Sequence, residues 1–209
     1  MRDWLAIAVG LLLAAAACGD DLEATSIRLE IPEDGSPPLY GQAPFPSDAW
    51  LGDDGTLEPP AGLEVVFRRD PELIAAHLAT LDGFGVRPLV EFPIDGALDP
   101  ASIDGAARVI DIDPASPELG REIAYEWRWD PDRQVLAGSP EPGQVLRAGT
   151  RYAVLLGGGL RDAGGEPLAR PAGMVRLARA DADLPPRWRS TAEAIASDAV
   201  GVAVFTTQR

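Results

Sequence analysis

The pattern that decides the fold is clearest in the stretch EIAYEWRWDPDR, residues 122–133. Over its first eight positions large apolar residues alternate with charged or small ones, which is the period of a half-buried β-strand. The apolar positions are Ile123, Tyr125, Trp127 and Trp129. The next four residues, Asp130 to Arg133, have the composition of a tight turn, so the chain is predicted to fold back along residues 134–137. This stretch therefore predicts an antiparallel hairpin.

Period-two segments recur on both sides of this hairpin. Strands are predicted around residues 90–94, 110–112, 152–156 and 202–205, and the last is apolar enough to be a central strand that closes the sheet. The 209 residues include 22 glycines and 20 prolines, a content that suits short strands joined by turns. We therefore predict a mainly β fold: an immunoglobulin-like antiparallel sandwich over residues 63–209, with an N-terminal extended strap and two short helices.

The first of the two helices is predicted directly after the strap. Asp70 can cap it, Gly83 can end it, and Ile74 and Leu78 lie on the face that we expect to be buried. Its middle holds His77, the single histidine of the chain. We interpret His77 as a residue at the helix boundary, and a catalytic imidazole is the alternative.

The second helix is predicted in an insertion near residues 188–199. Ser190 and Glu193 have the spacing of a capping box, and Pro185 with Pro186 blocks an earlier helical start. Ile195 is its one large aliphatic residue, so we expect the helix to rest on an edge of the sandwich.

Residues 18–62 are predicted to form a tether and a strap rich in proline and glycine. Regular elements of useful length do not fit between these prolines. Tyr40, Phe45 and Trp50 could anchor the segment to the following domain, which favours an extended strap over a flexible linker, the alternative.

The N-terminus has the features of an export signal. Residues 5–17 carry no charge, and as a helix they would span about 20 Å, too little for a bilayer core of ~30 Å. Small residues then precede Cys18, the single cysteine, in an arrangement that resembles the lipobox of bacterial lipoproteins. The resemblance implies that residues 1–17 are a cleaved signal peptide and that Cys18 is lipidated; an ordinary secretory signal with a free thiol is the alternative. Gly19 after the cysteine favours the outer membrane over the inner one.

Motifs across most of residues 44–208 resemble two groups of bacterial domains. The segments PGQVLRAGTRYAV (142–154), GLRDAGGEPL (159–168) and FTT (205–207) look like the Ig-like domains first known from S-layer proteins. The segments PFPSD (44–48), DGTL (54–57), LDGFG (81–85), LDPASI (98–103) and FTTQ (205–208) are similar, in this order, to the non-catalytic N-terminal domain of bacterial virulence-factor lipases. In that family the domain precedes an α/β-hydrolase domain.

The residues of these motifs are predicted to act as structural residues. In LDGFG the glycines would take positive φ and Phe84 would point into the core, while Asp162 would bond downstream amides in a turn. The full set is Pro44, Phe45, Pro46, Asp48, Asp82, Gly83, Phe84, Gly85, Tyr152, Asp162, Gly165, Phe205, Thr206 and Thr207.

Signatures of catalysis and of nucleic-acid binding are missing from the sequence. None of the serines lies in a Gly-x-Ser-x-Gly nucleophile elbow, and no phosphate-binding or dinucleotide motif occurs. A formal charge of -15 argues against a nucleic-acid partner, because phosphate contacts need basic residues. We therefore predict no enzymatic activity and no cofactor.

Close acidic pairs are the remaining candidates for a site. Asp111 with Asp113 and Asp130 with Asp132 could offer oxygen ligands to Ca²⁺, although neither pair continues into an EF-hand loop. We interpret them as solvated turn residues, and glycosidase carboxylates are a further alternative.

These observations predict a membrane-anchored exported lipoprotein of the cell envelope that acts as a non-catalytic Ig-like binding or spacer module. Its expected partners are the membrane, through the lipid anchor, and a cell-envelope protein or carbohydrate. One alternative is a truncated accessory domain of a secreted lipase or esterase whose hydrolase domain is absent. A weaker alternative is a calcium-dependent adhesin.

Overall fold

Eight β-strands make up the framework in the computed structural model, which describes residues 24–58, 70–180, 182–195 and 198–209. The predicted signal peptide and Cys18 lie outside these ranges. The strands are β1 Ser26–Ile27, β2 Val90–Asp95, β3 Ala107–Asp111, β4 Glu122–Ile123, β5 Tyr125–Asp130, β6 Val135–Pro140, β7 Arg151–Gly157 and β8 Ala199–Thr206.

The strands form two four-stranded antiparallel sheets in the orders β1-β2-β6-β5 and β4-β3-β7-β8. Lettered in chain order, the first sheet reads A-B-E-D and the second reads C′-C-F-G. This is the strand order of an immunoglobulin-like sandwich with one extra strand on the C-F-G sheet. The predicted antiparallel sandwich is therefore confirmed.

The predicted hairpin of residues 122–137 is present, but its first strand is broken. Trp127 lies opposite Gly138 and Asp130 opposite Val135, so β5 turns back onto β6 as predicted. Ile123, however, pairs with Val109 of the second sheet. The chain changes sheets at Ala124, because a continuous strand could not contribute to both layers of the sandwich.

Two hydrophobic cores lie on the two faces of the second sheet. The larger one fills the space between the sheets and includes Phe92, Leu136 and Val154. The smaller one lies on the outer face, where Leu155 and Val204 are covered by other parts of the chain. The covering residues include Leu29, Ile31, Met174, Leu177 and Trp188. Strands β7 and β8 are consequently buried on both faces.

Strand β8 was predicted to be central, but it forms the edge of its sheet next to β7. Its apolar sequence reflects burial on two faces and does not report its position in the hydrogen-bonding order. The edge is covered in part by Phe84, whose N–H donates to the Thr206 carbonyl at 2.9 Å.

The described residues form three α-helices where two were predicted: α1 Pro71–Leu78, α2 Ala172–Arg179 and α3 Arg189–Glu193. Helix α2 was not predicted, and its buried Met174 and Leu177 help cover the outer face of the second sheet. Single 3-10 turns occur at Asp48–Trp50, Pro100–Ser102 and Pro186–Trp188. Within the described ranges, no helix is both long and apolar enough to cross a membrane.

Both predicted helices are shorter than expected. Asp70 has φ 44° and its side chain makes no capping bond, and α1 ends at Leu78. Its predicted apolar face is incompletely buried, and the neighbouring Leu73 is 69% exposed. Helix α3 ends at Glu193 with Ser190 inside it, so the predicted capping box is wrong and no helix reaches Ala199.

The described part of the strap, residues 24–58, lies against the first sheet as well as over the second. Strand β1 pairs with β2, and Phe45 exchanges two backbone hydrogen bonds with Glu91, at 2.8 and 2.6 Å. Glu91 and Pro93 are buried as a result, although alternation predicted that this face of β2 would be exposed to solvent. The strap therefore converts β2 into a strand that is covered on both faces.

Candidate functional site

Aromatic residues from distant motifs meet at one end of the sandwich. The Phe84 ring contacts the rings of Phe45 and Phe205, with centroids 5.5 and 6.3 Å apart, both edge to face. Phe205 also stacks on Tyr152 at 5.8 Å. We call this cluster, together with Asp48, the motif junction. It joins the strap, the segment before β2, and strands β7 and β8.

Asp48 provides the polar connection of the motif junction. Its carboxylate accepts from the backbone N–H of Thr206 at 2.7 Å and from the Thr206 hydroxyl at 2.9 Å, and the Arg151 Nε lies 3.7 Å away. Burial raises the pKa of Asp48 to about 6, and the bonds to Thr206 and the charge of Arg151 only partly oppose this rise. Asp48 therefore fastens the strap to the edge strand β8.

Tyr152 forms a tyrosine corner. It is fully buried at the start of β7, and its hydroxyl accepts a hydrogen bond from the backbone N–H of Arg147 at 2.9 Å. In immunoglobulin-like domains a tyrosine near the start of strand F makes the same bond to the preceding connection. The motif that resembles S-layer Ig-like domains thus contains a recognised structural device of this fold.

The LDGFG motif packs against the same end of the sandwich. Gly83 has φ 154° and approaches the Thr206 carbonyl so closely that a Cβ there would lie 2.6 Å from its oxygen. Phe84 is buried, as predicted, whereas the predicted positive φ is found at Gly83 and not at Gly85. Asp82 accepts from the N–H of Arg209 at 3.3 Å.

The polar side chains of other motif residues are also hydrogen-bonded to backbone groups. The Thr207 hydroxyl donates to backbone carbonyls and accepts from the N–H of Thr150 at 3.0 Å. Asp162 accepts from the amides of Gly164 and Glu166, in a turn where Gly165 has φ 86°. Pro44 and Pro46 are buried in the strap. These groups hold the fold together, and the arrangement leaves them little capacity for chemistry.

Each acidic pair starts at the last residue of a strand, β3 or β5, and continues into the turn that follows. The interpretation of the pairs as solvated turn residues is wrong for Asp111. Asp111 is buried and accepts from the Asp113 N–H and the Ser116 hydroxyl. Asp130 accepts from the N–H of Arg133 at 3.1 Å, whereas Asp132 is exposed. In the part of the chain that the structure describes, no three His, Cys, Asp or Glu side chains come together in a way that could hold a metal ion. His77 is exposed on α1.

A pocket of about 360 Å³ lies between the strap and the first sheet. We call it the strap pocket. Its walls include Arg28, Tyr40 and Phe45 from the strap, Glu91 from β2, and Arg133 from the turn before β6. The volume is at the lower end of the ~300–1,000 Å³ that small-molecule sites have.

Glu91 is the central polar group of the strap pocket. Its side chain is 9% exposed; one carboxylate oxygen lies 2.7 Å from an Arg133 nitrogen, and the other accepts from the Tyr40 hydroxyl at 2.8 Å. Burial raises the pKa of Tyr40 to about 12, and the hydrogen bond to Glu91 acts in the same direction. Tyr40 therefore remains a protonated donor at neutral pH.

A second depression, of about 650 Å³, separates the sheets where β4 and β5 diverge. Tyr125 and Trp127 lie in it with ring centroids 5.9 Å apart. The Tyr125 hydroxyl is buried and finds no hydrogen-bond partner in the described part of the chain, and burial raises the pKa of this phenol. The Trp127 ring lies over Gly138, where any Cβ would collide with it.

Sequence reasoning found some members of the strap pocket and missed others. Tyr40 and Phe45 were expected to anchor the strap, and they do line the pocket. Alternation with the apolar Val90 and Phe92 indicates that Glu91 is exposed, and Arg133 belongs to the predicted turn, so neither pattern shows that the two side chains meet. No local pattern could show this, because Glu91 is buried by a segment about 50 residues upstream.

No protein-family model matches the chain, and no curated protein matches it significantly. Among solved structures it is similar to domains 1–6 of the surface layer protein SbsC, with a TM-score of 0.31 and 10% identity over 52% of this chain. It is also similar to the N-terminal part of that bacterial S-layer protein, with a TM-score of 0.30 and 12% identity over 41% of this chain. The matched parts span 16% and 22% of those two chains. At such TM-scores the likeness supports no statement about this protein, and the fold rests on its strand order and its tyrosine corner.

Proposed function

We propose that this protein is an exported lipoprotein of the cell envelope whose Ig-like sandwich is a non-catalytic binding or spacer module. The residues before the sandwich would act as the tether, with the lipid on Cys18. The anionic leader Asp20, Asp21 and Glu23 would be repelled by anionic headgroups, so the sandwich would stand away from the membrane surface.

The direction of the chain through the sandwich supports the proposal most. Thr25 lies against Gly96 at the end of β2, and Ile27 packs near Gly201 early in β8. Arg209 follows β8 at the opposite end, beside Asp82. Strand β8 has eight residues, so the two ends lie roughly 25 Å apart. A module that the chain enters at one end and leaves at the other is suited to hold a surface at a distance from its anchor.

The bonding of the polar residues supports a non-catalytic role. Hydroxyls that could serve as nucleophiles bond to backbone or turn groups: Ser47 to Ala49, Ser102 to Asp99 and Arg161, and Ser116 to Asp111. Asp48 is directed at Thr206, and Tyr152 at Arg147. These hydrogen bonds fix the turns and strands in place, which is the role of structural residues.

The anchor is tested by expressing the full chain in a Gram-negative host with a palmitate analogue. We expect label in the protein and co-sedimentation with membranes, and a Cys18→Ala variant should lose both. A Gly19→Asp variant is the matched control, since it keeps the cysteine and should remain labelled while moving to the inner membrane. An unlabelled, soluble parent protein would refute the anchor.

A second candidate is the accessory domain of a secreted lipase or esterase. The observation that favours it is the convergence of the PFPSD, LDGFG and FTTQ segments at the end of the sandwich where Arg209 lies. This candidate requires an in-frame hydrolase sequence with a Gly-x-Ser-x-Gly elbow downstream of the Arg209 codon. A stop codon there would exclude it.

A further inference from the structure

The polar contacts around Glu91 are not needed to hold the strap in place. The strap is already attached next to Glu91 by the two backbone hydrogen bonds of Phe45, by β1, and by the Phe45 ring on Phe84 and Trp50. A buried carboxylate with ionic partners is often no more stabilising than apolar residues of the same volume, because desolvation offsets the attraction. Stability of the strap therefore gives little reason for an ionised group at this position.

The bonding around Glu91 leaves free capacity. A carboxylate offers about four acceptor positions, and among the described residues Tyr40 and Arg133 each occupy one. The Arg133 guanidinium has five N–H donors, and its side chain is about half exposed at the rim of the pocket. Donors and acceptors thus lie side by side, within hydrogen-bond distance of each other, on one wall of the strap pocket.

The charges of the strap pocket are balanced. Arg133 is paired with Glu91, and Arg28 is paired with Asp95 at 2.7 Å and also donates to the Gly41 and Ile94 carbonyls. An anionic ligand would face Glu91, and a cationic ligand would face two guanidinium groups. A neutral ligand avoids both repulsions.

The rest of the pocket wall is apolar. Phe45 and Pro93 face the space that Glu91 and Arg133 border. The matching ligand has one face of C–H groups and a rim of adjacent hydroxyls that can donate to a carboxylate and accept from a guanidinium. A pyranose ring has this combination, and the volume of about 360 Å³ accommodates a single sugar unit and not a folded polypeptide.

We infer that the strap pocket is a binding site for a neutral hexose-type sugar, with Glu91 and Arg133 bonding its hydroxyls, Tyr40 orienting the carboxylate, and Phe45 contacting its C–H face. This inference deepens the proposed function, on which it rests, by naming the ligand class of the binding module. Its physiological source would be an envelope glycan.

The inference is tested by saturation-transfer NMR and calorimetric titration of the full chain, purified in detergent, with methyl glycosides of glucose, galactose and N-acetylglucosamine. We expect saturable, weak binding of at least one glycoside, with a Kd on the order of 1 mM. Arg133→Gln should abolish it, and Tyr40→Phe should weaken it about fivefold, the effect of one lost hydrogen bond.

The matched control is Arg128→Gln, which removes the same charge from the neighbouring strand and should bind like the parent protein. Thermal melting must show that each variant is folded, and Tyr40→Phe, which keeps its ring, remains informative if Arg133→Gln does not fold. The inference is overturned if none of the three glycosides binds saturably, or if a folded Arg133→Gln or Tyr40→Phe variant binds as the parent does. Palmitate labelling is an independent readout, so a failed sugar site and a failed anchor are distinguishable.

Discussion

The carboxylate of Asp48 accepts two hydrogen bonds from Thr206, a residue 158 positions further along the chain. One comes from the backbone N–H and the other from the hydroxyl. Through this contact the strap supplies an acceptor to an edge strand that would otherwise present an unpaired N–H. The contact is buried and charged, which makes its contribution to stability dependent on pH.

We predict that Asp48→Asn stabilises the protein at neutral pH and that this advantage disappears in acid. The pKa of Asp48 is raised from 3.8 to about 6 in the folded state. The folded state therefore binds the proton more tightly than the unfolded state, so stability is reduced above pH ~6 and recovers as pH falls toward 4. The difference between variant and parent should approach 3 kcal/mol at pH 7.5, as an upper limit.

Urea unfolding of both proteins between pH 7.5 and 4.5 measures this difference directly. Asn can keep both contacts, because its amide oxygen accepts from the Thr206 N–H and its amide nitrogen donates to the hydroxyl. A free-energy difference that stays constant across this pH range would contradict the prediction.

The tyrosine corner should contribute measurably to stability. Tyr152→Phe removes the acceptor of the Arg147 N–H and should lower the free energy of unfolding by about 1–2 kcal/mol. Tyr125→Phe is the matched control, because its buried hydroxyl lacks a partner among the described residues and its removal should be neutral or stabilising. Urea unfolding measures both variants. An equal loss in the free energy of unfolding of the two variants would contradict the prediction.

Two glycines of the LDGFG motif should respond differently to alanine. At Gly83 the new Cβ would lie 2.6 Å from the Thr206 carbonyl oxygen and 2.9 Å from the Thr207 backbone, so we expect a loss of about 2–4 kcal/mol. At Gly85 no atom of the described residues lies within 4 Å of a Cβ, and the effect should be below about 0.5 kcal/mol. The melting temperatures of the two variants provide the comparison.

The strap should loosen when its aromatic anchor is removed. Phe45 contacts the rings of Tyr40, Trp50 and Phe84, so Phe45→Ala should cost about 3 kcal/mol and increase trypsin cleavage after Arg28. Leu73→Ala, at a side chain that is 69% exposed, should leave both properties unchanged. Unchanged proteolysis of the Phe45 variant would show that other contacts hold the strap.

The sandwich was predictable because most of its strands show alternating apolar residues and are bounded by recognisable turn residues. The turn Asp130 to Arg133 joins two segments of matched register, and Tyr152 begins a strand in a motif with a known structural role. These features depend on residues close in sequence, for which alternation and turn chemistry are reliable guides.

The departures from prediction come from contacts between distant segments. Alternation predicts that Glu91 is exposed, which holds for a sheet with one solvated face, but the strap covers that face. Strand β8 appears central by composition because α2 and the strap bury its outer side. The strap pocket was missed for the same reason, since it exists only where the strap crosses β2 and the turn before β6.

The two cores also determine when the chain can fold. Leu29 and Ile31 pack in the outer core with Val202 and Val204 of β8, which the ribosome adds only after the other strands of the sandwich. Closing a loop of that length before any contact forms is entropically costly, and folds dominated by such pairings form slowly. The N-terminal strap therefore cannot pack in the outer core until β8 has been synthesised, so the sandwich completes its fold only after all of its strands are available.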